Sequence, residues 1–461
     1  MLVSFSVANF RSFGEEVTLN MVASNKLTEH PEHLVKIDGT DKSLVRSALL
    51  YGANAAGKSN LVSAMKFAQR MIEWRENSLP GAEPFRFSSE LASKPSFFEF
   101  RFLLNDRIFI YGFDISASCI EAEWLAYVKG DEEPVIFERD RDGNTEVFEE
   151  TQSDFNDAQL FQTLTPLKQL PIKPNQLFLN RIGSLPDATQ GKSLNSILRW
   201  LTDELEIIDH PHYACDLLER LDKESEFRDF TVKFLDRIDT GIKSLRFEQL
   251  DFEVPDSLKD HFSSLSDAEN LGYRMFGCEG DTYVCQSPGQ PNKHVARRLV
   301  AEHPTGEMKW SLPFCEESDG TQQLLHFLPI LATRQNANKV IVIDELDRSL
   351  HPLLCWEFIK FFGDSCPGTR KQLIVTTHES HLLNQNLLRR DEYWFVEKDE
   401  TQQSRLVSLS DFKVRNDLKI QKGYLNGRFG AIPVFGGLSE LECLLDCPIK
   451  EGCDATEETS T

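Results

Sequence analysis

The chain has 461 residues, of which 40% are hydrophobic and 27% are charged, so a sizeable core can form and the composition argues against wholesale disorder. Lys and Arg number 50 against 73 Asp and Glu, and the net charge of -23 argues against a broad surface for neutralising nucleic-acid phosphates. No apolar run approaches the roughly 20 residues of a membrane helix and the N-terminal segment lacks a secretory signal, so we expect a cytoplasmic protein.

The first part of the chain predicts strands, a glycine-rich loop and a helix. Residues 2–7 and 17–22 alternate apolar and polar side chains, which indicates strands. An apolar run at 45–51 ends at the glycine-rich loop, and residues 60–73 have helical spacing. Further short strands, expected to form an antiparallel β layer, are predicted at 97–103, 109–115 and 123–128.

Helical spacing at 194–206 and 214–238 predicts a helical insertion in the middle of the chain. Residue patterns typical of strands then occur at 246–254, 273–276, 282–286 and 297–301. The last third predicts helices at 320–333, 351–362 and 380–390, alternating with strands at 339–343, 372–376 and 392–397. Apolar strands that alternate with helices favour a largely parallel sheet covered on both faces.

This pattern predicts four regions along the chain. They are an N-terminal lobe with the phosphate loop and β layer (1–150), a helical insertion (151–245), a C-terminal lobe (246–445) and an acidic flexible tail (446–461). Near the tail Cys443, Cys447 and Cys453 cluster, but no His lies nearby and their spacing is unlike that of a zinc ribbon. We therefore expect reduced thiols rather than a metal site.

The glycine-rich loop matches the pattern G-x-x-x-x-G-K-S in full. Its residues are Gly52, Ala53, Asn54, Ala55, Ala56, Gly57, Lys58 and Ser59. Glycines let backbone N–H groups turn onto phosphate oxygens, and the helix N-terminus adds partial positive charge. Lys58 would reach the β and γ phosphates of ATP, and the Ser59 hydroxyl would bind Mg²⁺. A strand-to-helix turn without a ligand is the alternative, but the flanking strand and helix favour the nucleotide.

Two carboxylates and a histidine follow the buried strands of the C-terminal third. Asp344 is placed to hold the metal ion and Glu345 to polarise the attacking water. The alternative is an ordinary strand-end pair that caps the next helix. His378 follows the strand at 372–376 and could reach a γ phosphate, although such a histidine on its own is more often structural.

The segment from Ser318 to Gln322 opens the helix that precedes Asp344. A serine and a glycine at this point are typical of an ordinary N-cap. An N-cap is also a site for anions, so a structural and a ligand-binding role can both hold.

The ordered set of motifs resembles the heads of ATP-binding-cassette (ABC-type) ATPases, most closely the RecF and SMC-type group. It comprises the phosphate loop, S-D-G-T-Q at 318–322, V-I-V-I-D-E, L-D-R-S-L-H-P and T-T-H, together with the opening N-F-R-S-F at 9–13. The resemblance implies an α/β fold, namely an ABC-type ATPase head with a mixed, mostly parallel sheet covered by helices, an antiparallel β layer and a helical insertion. It covers roughly residues 1–115 and 300–435.

The same resemblance implies roles for further residues. Ser318 and Gly320 correspond to the signature motif, Asp347 to the D-loop and His378 to the switch histidine. It also adds Arg11 and Asn60 to the expected nucleotide contacts. The implied assembly is a head-to-tail homodimer, or a higher homo-oligomer, in which each ATP and its Mg²⁺ lie between the phosphate loop of one subunit and the signature of the other.

The sequence departs from the ABC-type pattern at several points, and other segments indicate a smaller group within it. The signature reads S-D-G-T-Q rather than L-S-G-G-Q, no glutamine loop can be assigned, and the long coiled coil of SMC proteins is absent. The segments at 97–102, 123–125 and 423–433 are similar to a bacterial AAA-family group that includes RloA and abortive-infection anti-phage ATPases. Segment 423–433, with Arg428, indicates turns and packing, with a partner contact as the alternative.

Members of that group are commonly encoded beside a nuclease-like effector. The resemblance thus implies an ATP-hydrolysing sensor or regulator of an anti-phage defence system, which controls a partner protein. The alternatives are a RecF/SMC-like DNA-repair ATPase that binds DNA directly and a scaffold that binds ATP without hydrolysis. A transporter subunit would share the core motifs, but the N-F-R-S-F opening and the E-S-D-G-T sequence argue against it.

Overall fold

The computed structural model describes residues 1–73, 81–116, 119–155, 157–209, 215–250, 282–287, 290–306, 308–332, 338–365, 369–412 and 420–432. The strand predicted at 273–276, the three clustered cysteines and the acidic tail lie outside these residues. Within the described ranges no helix is long and apolar enough to cross a membrane.

The strands, numbered in chain order, are β1 Leu2–Ala8, β2 Val17–Asn20, β3 Leu34–Lys36, β4 Ser43–Val45, β5 Ser47–Tyr51, β6 Ser96–Leu104, β7 Arg107–Ile115, β8 Ile120–Tyr127, β9 Val135–Asp140, β10 Thr145–Val147, β11 Leu205–Ile208, β12 Ser244–Leu250, β13 Thr282–Ser287, β14 Gln290–Thr305, β15 Met308–Pro313, β16 Val340–Ile343, β17 Gln372–Thr376, β18 Tyr393–Lys398 and β19 Ser404–Ser408. The α-helices are α1 Lys58–Glu73, α2 Ala158–Leu167, α3 Phe178–Gly183, α4 Asp187–Gln190, α5 Lys192–Arg199, α6 Cys215–Lys223, α7 Ser225–Arg237, α8 Asp319–Ala332, α9 Pro352–Ser365 and α10 Ile420–Leu425.

The central sheet has the strand order β11-β16-β17-β5-β18-β19, and its neighbouring strands are parallel except for β18 with β19. Alternate residues of β5 pack into two different cores. Ala48 and Leu50 face the core that contains α1, while Leu49 and Tyr51 face the core that contains α8 and α9. Strands buried on both faces have continuous apolar sequences, which is why the strands of this sheet could be predicted from the sequence.

An antiparallel β layer lies beside the central sheet. Its order is β10-β9-β8-β7-β6-β1-β2, so the first strand of the chain pairs with both β2 and β6. Helices α2 to α5 follow this layer, and Trp200, just after α5, stacks on Phe102 of β6 with 4.1 Å between ring centroids. Together, the mostly parallel sheet, the antiparallel layer and the helical insertion confirm the predicted α/β architecture.

A smaller antiparallel sheet precedes the C-terminal part of the central sheet. In it β14 pairs with β12, β13 and β15. The strand β14 is much longer than the segment 297–301 predicted from the sequence. After β15, a short 3₁₀ turn at Phe314–Glu316 leads into α8.

One prediction of helix is wrong. The helix predicted at 380–390 is replaced by short 3₁₀ turns, because this segment takes its hydrogen bonds from tertiary partners such as the Tyr393 hydroxyl, which binds backbone groups of Leu382 and Asn384. The helix predicted at 194–206 is confirmed as α5 and the π-helical turn Trp200–Glu204 that follows it, and only its last two residues enter β11, which pairs in parallel with β16. The limits of the four predicted regions remain predictions.

Replacing Trp200 with alanine tests how the helical insertion is fixed to the β layer. The indole is fully buried and stacked on Phe102, so its removal leaves a cavity and should lower the free energy of unfolding by about 3–5 kcal/mol. Chemical denaturation of Trp200→Ala and of the neighbouring exposed variant Arg199→Ala measures this. An equal effect of the two changes would contradict the packing described here.

Candidate nucleotide site

The phosphate loop connects the carboxyl end of β5 to the N-terminus of α1, which begins at Lys58. Two of its residues have left-handed backbone, with φ of 62° at Ala55 and 115° at Gly57. A glycine tolerates such a φ without steric cost. The loop therefore curls at the end of a buried strand, where the free N–H groups of a helix N-terminus can receive an anion.

The loop packs closely on the strands beyond β5. A Cβ on Gly57 would lie 2.2 Å from Oγ of Ser404, and a Cβ on Gly52 would lie 2.4 Å from the carbonyl oxygen of Val396. Ser404 Oγ also donates to the Ala56 carbonyl at 2.6 Å. Glycine at positions 52 and 57 is thus required by the approach of β18 and β19 as well as by the loop's own turn.

Lys58 directs its ammonium group back into the loop. Its Nζ donates to the Gly52 carbonyl at 2.8 Å and lies 3.0 Å from Nε2 of His378. Since an ammonium can only donate, the His378 nitrogen must be the acceptor. Burial lowers the pKa of Lys58, an effect that the nearby carboxylates after β16 oppose.

His378 is held in its neutral form by this arrangement. Burial lowers the pKa of its imidazole, and the Lys58 cation lowers it further. Its backbone N–H donates to the carboxylate of Asp347, at 3.2 Å from each oxygen. The structure thus brings together Lys58, the predicted switch histidine and the predicted D-loop aspartate.

Asp344 and Ser59 form the pair of oxygen ligands that the sequence predicts for Mg²⁺. The Ser59 hydroxyl donates to Oδ1 of Asp344 at 3.2 Å. The same oxygen accepts from the Thr376 hydroxyl at 2.5 Å, and Thr376 in turn accepts from the backbone N–H of Glu345 at 2.7 Å. A hydroxyl and a carboxylate oxygen are ligands that Mg²⁺ prefers, so the donor set fits this ion.

A cavity of about 500 Å³ lies among Glu345, His378 and most residues of the phosphate loop, at one edge of the central sheet. It is lined by Asn54, Ala55, Ala56, Gly57, Lys58, Ser59, Asn60, Glu345, His378 and Lys398. Glu345 is exposed there, with a left-handed backbone φ of 54°. In open α/β sheets ligands bind outside the carboxyl ends of the strands, which is where this cavity lies.

Sequence reasoning missed several residues of this neighbourhood. Lys398 ends β18 and lines the cavity, and the end of the predicted strand at 392–397 was the only signal for it. Ser12 accepts a hydrogen bond from Asn60 Nδ2 at 2.7 Å, and its hydroxyl lies 2.8 Å from that of Ser404. Both serines contact the loop from outside the cavity. Ser12 lies in the N-F-R-S-F opening, from which the sequence predicts no role for it, and no sequence pattern marks Ser404.

Seven predicted residues do not line the cavity, namely Gly52, Ala53, Asp344, Asp347, Arg11, Ser318 and Gly320, and the last three have contacts elsewhere. Arg11 donates to Glu83 at 2.9 Å and does not line the cavity. Ser318 is exposed and acts as an N-cap of α8, because its hydroxyl accepts from the N–H of Thr321 at 3.2 Å. A Cβ on Gly320 would lie 2.6 Å from the Ser349 carbonyl, so this glycine packs on the turn that carries Asp347.

The segment 423–433 supports the interpretation as turns and packing, as far as it is described. Phe429 stacks on Phe395 of β18 with 5.5 Å between ring centroids, and the Tyr424 hydroxyl donates to the Ala431 carbonyl at 3.1 Å. Gly427 and Gly430 both have positive φ. The backbone N–H of Arg428 bonds to the Gly423 carbonyl at 3.0 Å.

One protein-family profile matches most of the chain. The profile of the family described as "AAA domain, putative AbiEii toxin, Type IV TA system" matches residues 47–384, from β5 to beyond His378. This is well over half of the chain, and the chain belongs to that family. No curated protein matches it in sequence.

Solved structures of SMC heads are similar to the chain over most of its length. The SMC head domain from Thermotoga maritima is 13% identical with a TM-score of 0.36, and the alignment covers 88% of this chain and 98% of that one. An SMC head bound to the C-winged helix domain of ScpA is 12% identical with a TM-score of 0.37, covering 89% and 99% of the two chains.

The close contact between the loop and β19 predicts the effect of Gly57→Ala. A left-handed φ costs an alanine about 1–2 kcal/mol, and the clash with Ser404 should add about 1–3 kcal/mol to the loss of stability. Gly39→Ala is the matched control, since Gly39 has a φ of 77° but no atom within 4 Å of its added Cβ. Equal losses for the two variants in chemical denaturation would contradict the contact.

Proposed function

We propose that this chain, as a member of that AAA-domain family, binds ATP with Mg²⁺ in the cavity at the phosphate loop and hydrolyses it. The observation that carries the proposal is the meeting of three groups at the ends of adjacent strands. Lys58 and Ser59 follow β5, His378 follows β17, and Asp344 with Glu345 follow β16. A lysine at the phosphates, a hydroxyl and a carboxylate for Mg²⁺, and a further group that positions water are the parts that phosphoryl transfer from a Mg-nucleotide uses.

The loop would bind the phosphates through its backbone N–H groups and the Lys58 ammonium. That ammonium now binds the Gly52 carbonyl and His378, both weaker partners than a phosphate oxygen. Ser59 and Asp344 would hold the metal ion, with Thr376 orienting the Asp344 carboxylate. When bound, Mg²⁺ neutralises phosphate charge and orients the β and γ phosphates.

Glu345 is proposed to position the attacking water and to accept its proton. The water oxygen forms a bond to the γ phosphorus while the bond from that phosphorus to the β–γ bridging oxygen breaks, which yields ADP and phosphate. The Glu345 carboxylate is exposed to the cavity, and its N–H is fixed by Thr376. His378, beside Lys58, would contact the γ phosphate and report its presence to Asp347 through its backbone.

The signature residues are proposed to act on the nucleotide of a second copy. Ser318 is exposed at the N-terminus of α8 and does not line the cavity of its own chain. Gly320 packs on the turn after Asp347, so the signature and the D-loop lie side by side. A head-to-tail homodimer would complete each site with the N-cap of α8, which favours an anion. Arg11 and Asn60 remain proposed nucleotide contacts.

For the biological role, we favour a cytoplasmic sensor or regulator in anti-phage defence that controls a nuclease-like effector. Support comes from the family's description, which names a toxin of a type IV toxin–antitoxin system, and from the net charge of -23, which disfavours direct DNA binding. Co-purification from the native operon followed by mass measurement tests this role. Tight DNA binding by the isolated chain, with an affinity that falls steeply with salt, would favour a DNA-repair ATPase instead.

Removal of the Lys58 ammonium tests nucleotide binding. Lys58→Ala should weaken the binding of a fluorescent ATP analogue about 10- to 100-fold, since a hydrogen bond to a charged group contributes about 1.5–3 kcal/mol. Lys66→Ala on the same helix is the control, because Lys66 pairs with Asp209 outside the cavity. Normal ATP binding and hydrolysis by Lys58→Ala would overturn the site assignment.

Glu345→Gln tests the hydrolytic step. It should keep ATP affinity but lose about 10²- to 10⁴-fold in phosphate release, because an amide cannot accept the proton of the attacking water. Glu357→Gln, at an exposed position of α9, should leave the rate unchanged. A scaffold that does not hydrolyse ATP would give no phosphate release even for the unaltered chain.

The same variant tests the dimer. With hydrolysis blocked, Glu345→Gln should accumulate as an ATP-bound dimer, which light scattering coupled to size exclusion detects. A strictly monomeric Glu345→Gln protein at saturating ATP would exclude the head-to-tail arrangement while leaving the site within one chain intact.

A further inference from the structure

Three potential metal ligands converge in the segment between β2 and β3. His30, Glu32 and His33 lie on or next to a short 3₁₀ turn, and one ligand atom from each lies within 4.8 Å of the other two. The two imidazole rings stack, with 4.9 Å between their centroids. None of these residues lines the cavity at the phosphate loop, so the cluster has no part in the proposed ATPase site.

The outer ring nitrogens of both histidines are engaged by acceptors. Nε2 of His30 lies 2.7 Å from the carbonyl oxygen of Gln385, and Nδ1 of His33 lies 2.9 Å from Oε2 of Glu392, which is fully buried. A carbonyl or carboxylate oxygen can only accept, so each of these nitrogens carries the ring proton. In the neutral imidazole the other nitrogen of each ring then presents a lone pair.

The remaining ring nitrogens of both histidines face the same carboxylate, so a second proton or a metal cation must lie between them and its oxygen. Nδ1 of His30 lies 3.0 Å and Nε2 of His33 lies 4.0 Å from Oε1 of Glu32. Two lone pairs and an anionic oxygen repel one another unless a positive charge lies among them. A proton on one ring removes the repulsion at a single nitrogen, whereas a divalent cation can bind both nitrogens and the carboxylate oxygen at once.

We propose that His30, Glu32 and His33 bind a divalent transition-metal ion of the zinc class. Histidines that ligate metals almost always donate their other N–H to a carboxylate or a backbone carbonyl, and both histidines here do so. Two imidazoles and one carboxylate are a ligand set that suits zinc, whereas Mg²⁺ prefers oxygen ligands alone. A fourth position stays open for water.

The space around the cluster suits an ion. Tetrahedral zinc, with bonds of about 2.0–2.2 Å, holds its ligand atoms about 3.4 Å apart, which lies between the two observed distances of 3.0 and 4.0 Å. The Glu32 side chain is 47% exposed and can shift to close the site. Opposite it, a Cβ on Gly363 would come within 3.3 Å of Nε2 of His33, so the glycine leaves room beside this lone pair.

The ion would join two segments that are distant in sequence. Gln385 and Glu392 belong to the connection between β17 and β18, and Glu392 directly precedes β18. Because β18 and β5 are parallel, the amino end of β18 lies at the edge opposite the phosphate loop. The proposed role is therefore structural, fixing the segment at 30–33 to the connection that carries the polypeptide from the switch histidine to β18.

Zinc binding to the full chain, in competition with a chromophoric chelator at neutral pH, tests the proposal. The unaltered chain should bind one more equivalent of Zn²⁺ than Glu32→Gln, whose affinity at this site should be at least about 10-fold weaker. Asp41→Asn, a nearby exposed carboxylate, is the matched control and should bind like the unaltered chain. Zinc should also raise the melting temperature of the control and not that of Glu32→Gln.

A second variant and a second metal ion distinguish loss of the proposed site from misfolding of the chain and from zinc binding at other positions. His30→Gln changes a partly exposed side chain and should lose the same equivalent while retaining the circular dichroism of the folded chain. Co²⁺ bound at this site should show a visible spectrum without the intense near-ultraviolet band of thiolate ligands. Unchanged zinc stoichiometry and affinity in both variants, or no zinc binding by the unaltered chain, would overturn the proposal in favour of a cluster held by a proton.

Discussion

The strands at the centre of the molecule are buried on both faces, and this constraint decides where polar chemistry can lie. Along β5, β16 and β17 every residue is buried, so a charged side chain on any of them would lose its hydration. Charged and polar groups are therefore confined to the strand ends. Because the strands are parallel, their carboxyl ends meet at one edge, and Lys58, Asp344 and His378 are brought together there.

The charge of Lys58 organises the groups around it. Its ammonium binds the loop carbonyl and the imidazole of His378, which keeps that ring neutral, while the carboxylates after β16 compensate its charge. A site of this kind is preorganised, because the positive group is already aimed at the loop in which phosphates would lie. The hydroxyls of Ser59 and Thr376 fix the Asp344 carboxylate in the same way.

The sequence was informative where a function depends on local pattern. The phosphate loop, the apolar strand before Asp344 and the strand before His378 are each local signals, and the topology of a parallel sheet brings them to one edge. Ser12, Ser404 and Lys398 were missed because their roles arise from contacts between distant segments. The helix predicted at 380–390 failed for the same reason, since Tyr393 and the buried Arg389 supply bonds that helical spacing cannot anticipate.

The central claim is that the cavity at the carboxyl edge binds the phosphates of ATP. Hydrogen exchange of the unaltered chain, with and without Mg²⁺ and a slowly hydrolysed ATP analogue, tests it most directly. The account predicts slower exchange in peptides that contain residues 52–60, 344–347 and 376–378, with little change in the β layer at 107–115. Unchanged exchange of the phosphate loop at saturating nucleotide would contradict it.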